Sequence, residues 1–139
     1  VFYGLTPAHR KAHFVRAILE STAYALRDNV EMLAGYGIPC LEVTALGGAA
    51  RSRLWRQIKA DVLGKPIRSM ACEEATSLGT AVLAAAGTGL QGGVEAAMAA
   101  MVRPAESVEP DATRAALYEG CFQRYRELNR RLFGPAPTG

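Results

Sequence analysis

Residues 42–64 read EVTALGGAARSRLWRQIKADVLG, an apolar run, a turn of small residues and a basic amphipathic segment in succession. That order predicts a strand over Leu41–Leu46, a break at Gly47-Gly48 and then a helix, since glycine adopts backbone angles that other residues resist. Ser52 stands where it can cap the helix, and Leu54, Trp55, Ile58, Val62 and Leu63 recur as its apolar face until Gly64 ends it. A turn between strand and helix is where open α/β sheets place their ligands. Main-chain N–H groups in such a turn can receive phosphate oxygens. A plain structural connection accounts for Gly47-Gly48-Ala49 equally well, because the stretch is neither GxGxxG nor a P-loop ending in GK[ST]. The bases Arg51, Arg53, Arg56 and Lys59 read as a solvated face, with only part of the group on one side of a helix.

Outward from this stretch the chain alternates between helical and extended patterns. Thr6-Pro7 predicts a helix start and a long helix to about Ala34, with Phe14, Ile18, Ala25 and Leu26 as its stripe, widened by Val15, Leu19, Thr22, Val30 and Leu33. Pro66–Met70 predicts a second strand, and Glu73 or Glu74 opens a helix bearing Leu78, Val82 and Ala85. Another helix is expected over Val94–Met101. Arg103–Asp111, RPAESVEPD, reads as a turn-rich connection. Thr113 is expected to cap a last helix carrying Ala116, Leu117, Cys121, Tyr125, Leu128 and Leu132, before an irregular tail at 134–139. Strands joined by helices of this length imply right-handed crossovers and parallel pairing. Two strands are few for four or five helices, and the chain opens at Val1 without a methionine, so a larger parent is expected.

Half of the 139 residues are hydrophobic, 21% are charged, and the net charge is +3, which fits one folded domain. That mild excess of base, spread over several segments, gives no reason to expect nucleic acid. Cys40, Cys72 and Cys121 lie far apart with no CxxC, and His9 and His13 lack a third donor. Neither a disulfide framework nor a metal site is expected, and a reducing cytoplasm is the plain reading. No apolar run reaches the roughly 20 residues that span a bilayer, and the first residues do not read as a signal peptide. Glu73 and Glu74 suit the positive end of a helix better than acid/base work. Trp55 is expected as a core indole, Tyr118, Phe122 and Tyr125 as core packing, and Asp61 as part of a local hydrogen-bond pattern.

The longer pattern ALGGAARSRLWRQIKADVLGKPI followed by EEATSLGTAVLAAAGTG resembles the carboxy-terminal domain of the FGGY carbohydrate kinases. Upstream, Phe2-Tyr3-Gly4-Leu5 and His13–Glu20 resemble a second signature of that family. Within it the likeness is to the xylulose kinases, so D-xylulose is the sugar the resemblance implies. It also implies an α/β fold, the carboxy-terminal portion of an actin-like, ribonuclease-H-like ATPase domain over 1–133, with parallel strands and packed helices and a flexible tail at 134–139. ATP and Mg2+ are the implied cofactors; the sequence leaves the oligomeric state open, a homodimer included. By the same resemblance Gly47, Gly48 and Ala49 lie against the nucleotide, bordered by Arg51, Ser52, Trp55 and Gln57. The catalytic base is expected upstream of this chain, since Asp28, Asp61 and Asp111 match no catalytic aspartate. Alternatives are another FGGY kinase acting on ribulose, gluconate, fucose or glycerol, and a nonenzymatic actin-like nucleotide-binding domain.

Overall fold

The computed structural model describes residues 1–72 and 74–134, with only the backbone described at Ala49. Along them run α1 (Lys11–Gly35), β1 (Val43–Ala45), α2 (Gly48–Arg51), α3 (Arg53–Leu63), β2 (Ile67–Met70), α4 (Ala75–Gly87), α5 (Val94–Met101), β3 (Pro104–Val108) and α6 (Ala112–Phe133). The expected irregular tail beyond Gly134 lies outside the described residues.

The three strands form one sheet in the order β1-β2-β3. Strands β1 and β2 are parallel, with Val43 beside Ile67, Thr44 beside Arg68 and Ala45 beside Ser69. Strand β3 runs antiparallel to β2, pairing Val108 with Ile67 and Ser107 with Arg68. The segment expected as a turn-rich connection is therefore a strand, and the sheet is mixed rather than wholly parallel. Four of the five β3 residues are exposed and only Val108 is buried, so no alternating apolar pattern marks the strand. Its proline sits at the first position of an edge strand, where a missing N–H is tolerated.

Two compact units divide the chain. One comprises Leu41–Ala60 and Lys65–Glu109; the other comprises Val1–Cys40, Asp61–Gly64 and the chain from Pro110 onward. The first of these holds the sheet. Its core contains Ala45, Ile58, Ala60, Ile67 and Val108. Small side chains let α4 and α5 pack closely through Val82, Ala85 and Ala97, with Ala86, Met101 and Val102 around them.

The other unit packs α1 with α6. Tyr24, Tyr118 and Phe122 are buried together, with ring centroids 6.2–6.3 Å from Tyr24, and the Arg27 guanidinium lies 4.2 Å over Phe122. Core packing thus explains Tyr118 and Phe122 as expected, while Tyr125 is half-buried. The stripe expected on α1 is borne out at Val30 and displaced elsewhere. Ala23, Tyr24 and Val30 are its buried residues, whereas Val15 and Ile18 are about half exposed at 48% and 53%. An open groove of about 1230 Å³ beside Phe2, Phe14, Ile18, Tyr24 and Leu128 carries none of the expected site residues.

Two helix starts also differ from expectation. Thr6 does not open α1; its hydroxyl and N–H both engage Nδ1 of His9, at 2.9 and 3.0 Å. The helix begins at Lys11, and Nδ1 of His13 accepts the Arg10 N–H at 2.9 Å, so His13 has a capping role. In α6 the cap is Asp111, whose carboxylate accepts the Arg114 N–H at 2.9 Å; Thr113 lies inside the helix. Asp61, only 2% exposed, joins this start by accepting the Asp111 N–H at 2.8 Å and Nε of Arg114 at 2.6 Å.

Candidate functional site

Strand β1 ends at Ala45, and Gly47 turns the chain with φ of +68°. A side chain there would crowd the carbonyl of the preceding peptide, so glycine is the natural occupant. Gly48 has no such angle; it begins α2, a single helical turn closed in part by the Ala50 N–H on the Gly47 carbonyl at 3.0 Å. The expected simple turn is thus a turn followed by a one-turn helix. A Cβ built on Gly48 would find open space within 4 Å. Gly48 is exposed, and the other described glycines apart from Gly93 have the same open space.

Ser52 separates α2 from α3. Its Oγ accepts the Trp55 N–H at 3.2 Å and its carbonyl accepts the Arg56 N–H at 3.0 Å, which fulfils the expected cap. Gln57 points elsewhere, donating from Nε2 to the Glu109 carbonyl at 2.9 Å. Trp55 is half-buried rather than a core residue, and the Lys59 ammonium lies 4.3 Å over its ring.

An open cleft of about 460 Å³ is lined by Leu46, Gly47, Gly48 and Arg51 from the first crossover, and by Glu74, Ala75 and Thr76 from the head of α4. Both walls follow parallel strands, so the cleft lies at their carboxyl ends, where the fold class puts ligands. Parallel pairing brings these two turns together; the sequence reading found only the glycine-marked one. The leading N–H groups of α4 have no intrahelical acceptors and carry the positive end of its dipole. Glu74, the residue before the helix, makes no side-chain cap bond. Backbone donors, Arg51 and a side-chain-free floor suit a phosphorylated ligand. Glu73 lies outside the described residues. Among those described, no three His, Cys, Asp or Glu side chains gather as a metal site.

Arg56 contradicts the reading of a solvated basic face. It is only 5% exposed, donates from Nη1 to Ser69 Oγ at 3.1 Å and from Nη2 to Glu106 Oε2 at 2.6 Å. Arg53, on the exposed side, reaches the other Glu106 oxygen at 3.2 Å. The misreading follows from the missed strand: without β3, no carboxylate stands opposite Arg56.

Hydrogen bonds from Arg56 and then Arg53 hold the Glu106 carboxyl below the usual carboxylate range. A depressed folded pKa stabilises the fold fully above the unfolded value, and that contribution is lost as pH falls through the folded one. Glu119 and Glu127 are lowered by their own partners too, so the difference from a variant is the informative quantity. Glu106→Gln is expected to lower the urea midpoint near neutrality, and its deficit against the unsubstituted chain should shrink as pH falls below the ordinary carboxylate value of 4.5. A deficit independent of pH would detach Glu106 from the acid response.

Fold and cleft together define an α/β domain whose parallel strands end at a small-residue turn. Residues 1–88 match the carboxy-terminal domain of the FGGY family of carbohydrate kinases, and the chain belongs to that family. A xylulose kinase of Staphylococcus epidermidis is 34% identical over 127 residues, covering 91% of this chain and 26% of the relative. The crystal structure of xylulose kinase from Rhodospirillum rubrum has a TM-score of 0.81 at 34% identity, covering 95% of this chain and 27% of that one. A glycerol kinase from Plasmodium falciparum, solved with ADP, has a TM-score of 0.73 at 25% identity, covering 91% and 26%. The chain therefore spans about a quarter of the length of these relatives. These relatives include both xylulose and glycerol kinases. Among the described residues no helix is long and apolar enough to cross a membrane.

Proposed function

We propose that this chain is the carboxy-terminal, nucleotide-binding part of an ATP-dependent sugar kinase that converts D-xylulose to D-xylulose 5-phosphate. The observation that carries the reading is the cleft at the ends of β1 and β2, with Gly47, Gly48 and Arg51 in one wall and the head of α4 in the other. Gly47, Gly48 and the main chain of Ala49 form the surface against the phosphates, and Arg51 offsets their charge. Ser52 and Gln57 support the nucleotide indirectly, one by capping α3 and the other by tying α3 to Glu109. The sugar assignment draws on the likeness to xylulose kinases; ribulose, gluconate, fucose and glycerol are the alternatives a substrate panel would separate.

Transfer requires the sugar oxygen to bond to the γ-phosphorus while ADP leaves and the hydroxyl proton passes to a base. This chain supplies no assigned base. Asp61 and Asp111 are committed to the α6 start, and Asp28 lies 3.7 Å from Arg126. The cleft residues do not form a magnesium site by themselves, with Glu74 as the carboxylate among its lining residues. Mg2+ would be held largely by the nucleotide's phosphates, and it supplies charge neutralisation. The isolated chain is expected to be inactive, and sugar-dependent ADP release by it would refute that.

Gly48→Val tests the site in the intact parent. Gly48 has an ordinary φ and room for a Cβ, so the variant should fold. Calorimetric titration with Mg·ADP should show affinity weakened on the order of tenfold or more, a loss of about 1.4 kcal/mol. Unchanged affinity in a folded variant would remove Gly48 from the site. Nucleotide binding without sugar-dependent turnover by the unsubstituted parent would favour a nonenzymatic nucleotide-binding domain.

A further inference from the structure

We propose that Arg56 is a positioning residue for the nucleotide cleft, an inference that rests on the functional reading above. Arg56 does not line the cleft. Its side chain instead binds three elements together: it rises from α3, donates to Ser69 on β2 and donates to Glu106 on β3. Ser69 is used fully in this arrangement. Besides the Arg56 bond, its Oγ accepts the Glu106 N–H at 3.2 Å and donates to the Glu106 carbonyl at 3.1 Å.

Two short paths run from this cluster to the cleft. The Arg56 N–H bonds the carbonyl of Ser52, the residue directly after Arg51. Ser69 sits beside Ala45, two residues before Gly47. Locking Arg56 therefore fixes the direction in which α3 leaves the sheet, and with it the placement of Gly48–Arg51 against the end of β1.

Stability alone is a poor reason for this residue. Arg56 Nε is buried with no acceptor, and burying a guanidinium carries a desolvation cost that a well-packed apolar side chain avoids. What the guanidinium supplies is a planar fork that meets a hydroxyl and a carboxylate at fixed angles, which lysine cannot reproduce.

The test uses the intact parent with Mg·ATP and sugar as substrates. Arg56→Lys keeps the charge and loses the fork; Ser69→Ala removes the hydroxyl on which the fork rests. Each is expected to raise the nucleotide KM about tenfold through misplacement of the turn, with the sugar KM unchanged and kcat little altered. Arg53→Lys, at an exposed single contact, should leave all three constants as they are. Should Arg56→Lys fail to fold, Ser69→Ala decides. An unsubstituted parent with no ATP-dependent sugar phosphorylation would overturn the kinase reading and this inference with it. An active parent whose nucleotide KM is unmoved in the folded variants, or whose sugar KM rises in proportion, would overturn this inference alone.

Discussion

Phe122→Ala is expected to lower the stability of the chain by about 3–5 kcal/mol, the range for truncating a buried aromatic ring. Phe122 is fully buried, with Tyr24 and Tyr125 at centroid distances of 6.2 Å and Arg27 above its ring. Its removal would open a cavity between α1 and α6 and strip the guanidinium of its aromatic face. Small domains have total stabilities of about 5–15 kcal/mol, so the loss is a large fraction of the whole. Urea unfolding should show a lower midpoint with an unchanged slope. Phe122→Leu, which keeps part of the volume, should recover much of the difference. A midpoint that does not move would mean that α6 does not pack as described.

Asp61→Ala is expected to cost about 2–3 kcal/mol, the scale of a charge-assisted hydrogen bond plus an N–H left without its acceptor. The carboxylate is 2% exposed and serves both the Asp111 N–H and Arg114 Nε, so one substitution undoes both ties to the start of α6. Arg114 is half exposed and can turn to solvent, which limits the loss. Asp61→Asn retains an acceptor for the N–H and should recover part of the stability. If Asp61→Ala and Asp61→Asn unfold together at the unsubstituted midpoint, the α3–α6 tie contributes nothing. Neither variant touches the cleft lining, so changes in nucleotide affinity are not expected.

Much of the fold was legible because its elements carry strong local signals. The Val94–Met101 helix follows a Gly-Gly break, α3 carries both a serine cap and an apolar face, β1 sits between Pro39 and Gly47, and Gly64 and Pro66 precede β2. Strand β3 carried no such signal: it is an edge strand with one buried side chain, Val108. Missing it hid the partner of Arg56 and made that residue look solvated. The start of α1 was misplaced for a different reason. Thr6 has the chemistry of a cap but spends its hydroxyl on the His9 ring.

The candidate site was half legible. Gly47 and Gly48 announce the first wall, because a strand followed by adjacent glycines breaks a regular pattern. The second wall, Glu74 to Thr76, has no comparable mark, and Glu74 read only as a favourable charge at a helix start. It joins the site through the register of β1 with β2, a pairing between residues more than 20 positions apart. Local sequence could not display that juxtaposition.

The proposed function rests on a nucleotide held in the cleft between Gly47–Arg51 and Glu74–Thr76. It is tested most directly by residue-resolved amide NMR of the chain during a Mg·ATP titration, with magnesium and salt controls. Saturable shifts are expected, centred on Gly47, Gly48, Arg51, Ala75 and Thr76, with Ser52 moving less. A folded chain whose amides stay in place throughout the titration, or whose saturable shifts lie away from both walls, would contradict it.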